Sequence, residues 1–236
     1  MSDFAHNRTT ILARIEAACL GVGRDPSEVR LLAASKTRTA DDVREALTSG
    51  HRLFGENRAQ ELRDKSAALR GERPMPEWHF IGPLQRNKVR YVVGTASLIH
   101  AVDSERLAKA ISSRAALLHG RGELETPMGV LIEVNLGAED SKAGVAPDEA
   151  LDLAVHAHAL PHVEVRGLMC IPPAVDDPEL AGPYFARMAA LAVEGRDRGL
   201  PLTELSMGMS GDFEVAVRHG ATLVRVGTAL FGSRRR

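Results

Sequence analysis

The residues of this chain best suited to chemistry are one lysine, two glycine- and hydroxyl-rich stretches and one arginine. Lys36 follows the apolar run VRLLAAS at 29–35, so its amine is expected at the mouth of a folded core and out of bulk water. An amine held there takes its neutral, nucleophilic form more readily and can attack an aldehyde. The plainer reading is an ordinary lysine at a strand end. The stretches SMGMSGDF (206–213) and GTALFG (227–232) combine small residues with hydroxyls at Ser206, Ser210 and Thr228. Small residues let backbone N–H groups approach an anion, and the hydroxyls add donors, which suits a phosphate. Alternatively the glycines serve tight turns and Ser210 caps the next helix. Arg225 interrupts the apolar segment TLVRV (222–226) and needs an acceptor if it points inward, an acid such as Glu133 or a ligand atom. His79, in WHFIG, either lines the same mouth or is a hydrogen-bonded core histidine. His156 and His158 stand two apart, share no helix face and make a poor metal pair.

These residues meet only if the chain folds as a repeating strand and helix. Short apolar runs at 29–35, 51–55, 78–82, 97–102, 129–135, 163–170, 203–207 and 222–226 read as eight strands. Between them, apolar residues recur at helical spacing. Thr39 can cap a helix carrying Val43, Ala46 and Leu47 that Gly50 ends, and a second carries Ala59, Leu62, Ser66 and Leu69. A helix after Leu84 has the weakest pattern, whereas Leu107, Ile111, Ala115 and Leu118 mark a strong one. Pro147 is expected to open a helix with Leu151, Ala154, Val155 and His158, and 179–198 a helix with Phe185, Met188, Ala189 and Ala192. A short helix bears Phe213, Ala216 and Val217.

Eight alternating units predict an α/β protein, a single (β/α)8 TIM-type barrel; a doubly wound open sheet is the competing architecture. An additional amphipathic helix within 1–23 (Ile11, Leu12, Ile15, Ala18) precedes the first strand and is expected to replace a long eighth helix. No Pro-, Gly- or Ser-rich linker divides residues 1–236, so one domain is expected. In such a barrel the working residues follow the C-terminal ends of the strands. That rule selects Lys36, Glu56 and Asn57, Asn135, Met169, residues 206–210, Arg225, Gly227 and Thr228.

Thirty Lys and Arg balance 31 Asp and Glu, which argues against a broad basic surface for nucleic acid. Cys19 and Cys170 form no metal or disulfide pattern and suit a reducing cytoplasm. Residues 1–8 do not read as a secretory signal, and no apolar run spans a membrane. Arg234–Arg236 read as a solvated tail.

The motifs LLAASKT (31–37), FGENRAQE (54–61), WHFIGPLQRNK (78–88), IHAVDS (99–104), EVNLGAEDSKAG (133–144), RGLMCIPP (166–173), LSMGMSGDF (205–213) and VRVGTALFG (224–232) together closely resemble the pyridoxal phosphate homeostasis protein family. This family is similar to the N-terminal barrel of alanine racemase, without the second domain. The resemblance implies pyridoxal 5′-phosphate (PLP) held as a Schiff base on Lys36. It also implies phosphate contacts from Ser206, Ser210, Gly227 and Thr228, Arg225 near the pyridine nitrogen, Asn57 near the cofactor and Met169 packing on its ring. Arg38, Arg58 and Arg86 depart from the family's usual residues, and the first two could alter the rim of the pocket or a transfer surface.

Two functions follow. One is a cytoplasmic, monomeric PLP carrier that buffers or delivers the cofactor, apo PLP-dependent enzymes being the recipients, without turnover of its own. The alternative is a PLP-dependent amino-acid racemase or decarboxylase. Racemisation needs acid and base groups on opposite faces, one of them supplied in barrel racemases by a second domain. Neither Tyr91 nor Tyr184 is expected after a strand. A protonated arginine at the pyridine nitrogen also gives a poorer electron sink than an aspartate. A Schiff-base aldolase acting on a sugar phosphate would share the lysine and anion site but accounts less directly for Arg225.

Overall fold

The computed structural model describes residues 3–137 and 143–232. Its strands are β1 (Arg30–Ala34), β2 (Leu53–Glu56), β3 (Glu77–Phe80), β4 (Leu98–Val102), β5 (Met128–Val134), β6 (Val163–Cys170), β7 (Glu204–Ser206) and β8 (Leu223–Val226). Each pairs in parallel with the next, and β8 returns to β1, so the sheet closes into the expected barrel. The open sheet is thereby excluded.

Strand alternation divides the side chains. Leu32, Leu53, Leu98, Leu131, Met169 and Leu223 meet inside the barrel, while Phe54, Trp78, Phe80, Ile99, Val130 and Ile132 face the surrounding helices in a larger core. Those helices are α1 (Asp3–Leu20), α2 (Ala40–Thr48), α3 (Ala59–Ala68), α4 (Val89–Val92), α5 (Glu105–His119), α6 (Ala150–His158), α7 (Gly182–Asp197), α8 (Phe213–Arg218) and α9 (Thr228–Phe231). Thr39 and Asp42 cap α2 reciprocally, and Gly50, at φ 82°, turns the chain back toward β2.

Three helices differ from the sequence reading. The segment after Leu84 becomes a 3-10 turn at Arg86–Lys88 and the single-turn α4, because Gln85, Arg86, Asn87 and Lys88 offer nothing to bury and only Val89 and Val92 do. Helix α6 begins at Ala150, three residues beyond Pro147, and buries Leu153 and Ala157 where Val155 was expected; Val155 is exposed. On α3 the buried stripe runs through Lys65 and not Ser66.

Helix α1 packs on α8 and α9. Phe4 stacks on Phe231 at 4.9 Å, the Asn7 amide donates to Leu230 O at 2.9 Å, and Arg14 makes a two-pronged ion pair with Glu214. Among the described residues no helix is long and apolar enough to cross a membrane. Cys19 and Cys170 are free and buried.

His51 seats this helix. Its ring meets Phe4 and Phe54 edge-on, Nε2 donates to Leu53 O at 2.7 Å, and burial pulls its pKa down to about 4. Below its ordinary value of 6.5 the unfolded chain takes up a proton that the folded state refuses until about pH 4. Stability is therefore expected to fall as pH drops through that window, by up to ~1.4 kcal/mol per pH unit from this group. Urea unfolding of wild type and His51→Gln at pH 7, 5.5 and 4.5 checks it. Equal slopes in the two proteins would remove His51 as the cause.

Candidate functional site

A cavity of 730 Å³ opens at the C-terminal mouth of the barrel, lined by residues that include Lys36, Asn57, Ser210, Arg225, Gly227 and Thr228. Six of the eight expected site residues thus converge. Lys36 extends from the end of β1 and lines the cavity, yet it is exposed to solvent, contrary to the expectation of a lysine shielded from water; the mouth is wide at that point. Among the described residues its amine has no hydrogen-bond or ion-pair partner, so it is available to a ligand.

The neighbouring wall, after β7 and β8, carries unpaired donors. Met209 N donates to Asp212 Oδ1 at 2.6 Å and thereby shapes the loop between β7 and α8. Among the described residues the N–H groups of Ser210 and Gly211, and those of Thr228 and Ala229 at the first turn of α9, have no intramolecular acceptor. Their hydroxyl-bearing members, Ser210 and Thr228, line the same cavity. Unpaired backbone donors beside hydroxyls are what a phosphate requires.

Arg225 is 5% exposed and forms the inner wall. Its Nη1 donates to Ser206 Oγ at 2.7 Å and its Nη2 to Cys170 O at 2.8 Å. Among the described residues it makes no ion pair, so the acidic partner considered for it, Glu133, is not one. Glu133 is itself buried, and burial first, then the charge of Asp103, raises its pKa to about 7.

Two expected residues sit elsewhere. Ser206 is fully buried inside the barrel, its hydroxyl bonded to His100 Nδ1 at 2.9 Å and to Arg225, so it backs the arginine and does not line the cavity. The reason is alternation: residues 204 and 206 of β7 face inward, whereas Ser210 lies in the loop beyond. Met169 belongs to the interior cluster at 1% exposure, and the cavity wall after β6 is Ile171. Asn135 is not part of the cavity lining, and its N–H donates to Val145 O at 2.8 Å. Part of the EVNLGAEDSKAG motif (138–142) and the Arg234–Arg236 tail lie outside the described residues.

Asn57 lines the cavity with a buried Oδ1 that has no partner among the described residues, an acceptor left over for a ligand. Gly82 holds it there. A Cβ on Gly82 would lie 2.4 Å from Asn57 O and 2.6 Å from Asn57 Cβ. Gly82→Ala is expected to destabilise the protein by ~1–3 kcal/mol through overpacking and to displace Asn57. Thermal unfolding together with a ligand titration checks this; unchanged melting would show that the loop yields freely.

Glu56, expected at the mouth, points instead to the outer side of the sheet. There it forms a buried knot that the sequence reading missed. Lys65 Nζ donates to Glu56 Oε1 at 2.6 Å, to Ser35 O at 2.8 Å and to Glu61 Oε2 at 3.4 Å. Ser35 Oγ donates to Glu56 Oε1 at 2.6 Å, and Thr37 N donates to Glu61 Oε2 at 3.0 Å. Both neighbours of Lys36 are thus tied to one ion cluster, and Thr37 is held at φ 64°, a left-handed backbone rare for threonine. Burial pushes the Glu56 pKa up against the pull of Lys65 and Ser35, while Thr37 N and Lys65 lower that of Glu61 against its partial burial. The Glu61 and Lys65 spacing of four was the available signal.

Of the three departures from the usual family residues, Arg38 lines the cavity, donates to Gly232 O and lies over the Phe231 ring. Arg58 is exposed and pairs with Glu61 at 3.5 Å. Arg86 lines a separate cleft with Asp103 and Arg106.

The closed parallel barrel is of the racemase type, and residues 23–235 match the family model described as alanine racemase, N-terminal domain. Alanine racemase of Corynebacterium glutamicum, 19% identical at a TM-score of 0.70 and covering 98% of this chain and 61% of its own, shares the fold. The chain belongs to the pyridoxal phosphate homeostasis protein family. The member so named from Aquifex aeolicus is 45% identical over 226 residues, 95% of this chain and 96% of its own. That from Pseudomonas aeruginosa is 43% identical over 99% of this chain and 97% of its own. PipY of Synechococcus elongatus, whose structure was solved with PLP bound, is 38% identical at a TM-score of 0.80, covering 94% of this chain and 100% of that one.

Proposed function

We propose that this chain binds PLP in the 730 Å³ cavity, with Lys36 as the point of reversible covalent attachment, and acts in intracellular PLP homeostasis by buffering or delivering the cofactor. The observation that carries this reading is the meeting, in one cavity, of an unpartnered amine, an anion wall and a buried arginine. The aldehyde of PLP condenses with an amine, losing water, to a reversible carbon–nitrogen double bond. Ser210, Gly211, Thr228 and Ala229 offer donors for its phosphate, with Gly227 giving the backbone room, and Arg225 offers its remaining N–H groups to the pyridine nitrogen. Asn57 supplies an acceptor at the rim. Ile171 and Ile81 give apolar surface for the ring, with Met169 as packing beneath. The homeostasis names of the relatives and the PLP-bound PipY structure support the ligand.

Turnover is not part of the proposal. Among the described residues lining the cavity the ionisable side chains are Lys36, Arg38 and Arg225, with no His, Tyr, Cys, Asp or Glu to face Lys36 across a substrate. Racemisation needs that second group. Cytoplasmic location and a monomeric carrier remain part of the same reading, with apo PLP-dependent enzymes as recipients.

The test is to load the protein with PLP, reduce with borohydride and map the modified peptide, then mix loaded protein with an apo-enzyme. An adduct on the peptide bearing Lys36 and reactivation beyond that given by equal free PLP are expected. No adduct would end the attachment reading, and no gain over free PLP would end delivery. Turnover of an added amino acid would favour the racemase or decarboxylase alternative.

A further inference from the structure

The barrel interior carries a continuous polar thread through its leucine layer. Starting from the cavity, Arg225 Nη1 donates to Ser206 Oγ at 2.7 Å, and Ser206 Oγ lies 2.9 Å from His100 Nδ1. His100 Nε2 is 3.0 Å from His79 Nδ1, and His79 Nε2 is 3.2 Å from Glu77 Oε1. Ser206, His100 and His79 are each at most 1% exposed. Glu77 lies at the N-terminal end of β3, at the opposite mouth of the barrel, where its side chain is 44% exposed. The thread therefore runs from one end of the barrel to the other.

Its two ends determine every proton between them. Arginine can only donate, and a carboxylate can only accept. Glu77 therefore accepts a hydrogen bond from His79 Nε2–H, leaving Nδ1 of a neutral His79 as an acceptor for His100 Nε2–H. A neutral His100 then has a bare Nδ1, which accepts a hydrogen bond from the Ser206 hydroxyl, and Ser206 Oγ accepts from Arg225. Each joint has one donor and one acceptor only when both rings are neutral with the proton on Nε2. A proton added to either ring would set two hydrogens against each other or strand the serine hydroxyl.

The charges around the thread favour the same state. His79 faces Glu77, Arg30 of β1 and Glu204 of β7; His100 faces His79, Arg225 and Arg30. Burial lowers the pKa of both, strongly for His100, and the Glu77 and Glu204 charges oppose this only at His79.

We propose that His79, His100 and Ser206 are positioning residues for Arg225: a proton-ordered thread anchored on Glu77 that pins the guanidinium so that its remaining N–H groups face the cavity. Ser206, backed by two uncharged histidines, and the Cys170 carbonyl thereby hold the buried cation on the cavity wall, with no ion pair among the described residues. An acidic partner would hold it too, but would also spend its charge. The proposal rests on the PLP reading for what Arg225 contacts, but not for the thread itself.

Two measurements test it. In the protein without added PLP, ¹⁵N NMR of the imidazole rings is expected to show both histidines as neutral Nε2–H tautomers from pH 8 to pH 5.5. An Nδ1–H form, or titration of either ring near its ordinary value, would overturn the ordering. In PLP titrations followed by visible absorption, Ser206→Ala and His100→Leu are each expected to weaken binding by roughly tenfold or more, the worth of a hydrogen bond to a charged group. His100→Gln, which can still accept from Ser206 and donate to His79, is expected to stay within about threefold. Wild-type affinity in folded Ser206→Ala would overturn the positioning role, and that small substitution serves if His100→Leu fails to fold. If wild type itself binds no PLP, the functional reading fails while the NMR result still decides the thread.

Discussion

Replacing Lys36 by alanine is expected to abolish the Schiff-base absorption band of the PLP-loaded protein and the borohydride-trapped adduct, while leaving the fold intact. The amine has no partner among the described residues and stands exposed on the cavity rim, so its removal unpairs nothing and opens no void. A surface change of that kind alters stability by about 0.5 kcal/mol or less. Lys65 does not substitute for it. It is 7% exposed and committed to Glu56, Ser35 and Glu61 on the far side of the sheet. Weak, non-covalent PLP binding should persist, because the donors of 210–211 and 228–229 and Arg225 remain. Spectra, reduced-adduct mass and melting curves of the two proteins decide the matter. An undiminished adduct in Lys36→Ala would move the attachment to another lysine.

The second large effect belongs to Lys65. Lys65→Met is expected to destabilise the protein by ~3–5 kcal/mol, because it leaves Glu56 as an unpaired charge in a buried site. The loss should depend on pH in a defined sense. Burial already raises the Glu56 pKa with its cation in place, and without Lys65 that rise grows, since the largest opposing influence is gone. A carboxyl whose folded pKa exceeds its unfolded value favours the folded state at low pH and weakens it as pH climbs through the folded value. Lys65→Met should therefore be least stable relative to wild type at pH 8 and recover part of the difference at pH 5. The double variant Glu56→Gln/Lys65→Met should regain stability at pH 8. PLP binding should weaken as well, since Ser35 O loses its bond to Lys65 and Glu61, which holds Thr37 N, loses its own anchor on Lys65. A flat pH profile would show that Glu56 is not the group left stranded.

Much of the barrel was legible in the residues. Eight apolar runs alternating with helical stripes led to the closed parallel sheet, and the strand ends fell within a few residues of the expected limits, because strand and helix periods are local properties of the chain. The rule that function follows strand C-termini brought Lys36, Asn57, Ser210, Arg225, Gly227 and Thr228 to one cavity. Where apolar pattern was thin the reading failed: after Leu84 the chain makes only one turn, and Pro147 lies three residues outside its helix.

Ser206 and Ser210 illustrate the harder limit. Both are serines in one loop motif, and composition treats them alike. Which of them lines the cavity depends on where β7 ends, since Ser206 is its last residue and faces the barrel interior while Ser210 lies in the loop beyond. Met169 was moved inward by the same alternation.

By itself the sequence determined the class of fold, the lysine after the first strand and the donor-rich loops after the last two, all of which are encoded in short contiguous segments. Only the tertiary structure decided that Lys65 reaches across to Glu56 and Ser35, and that Glu77, His79, His100, Ser206 and Arg225 join end to end. Those partners come from different strands and helices, and hydrogen bonds between them exist only once closure of the barrel sets the register of strands that are distant in the chain.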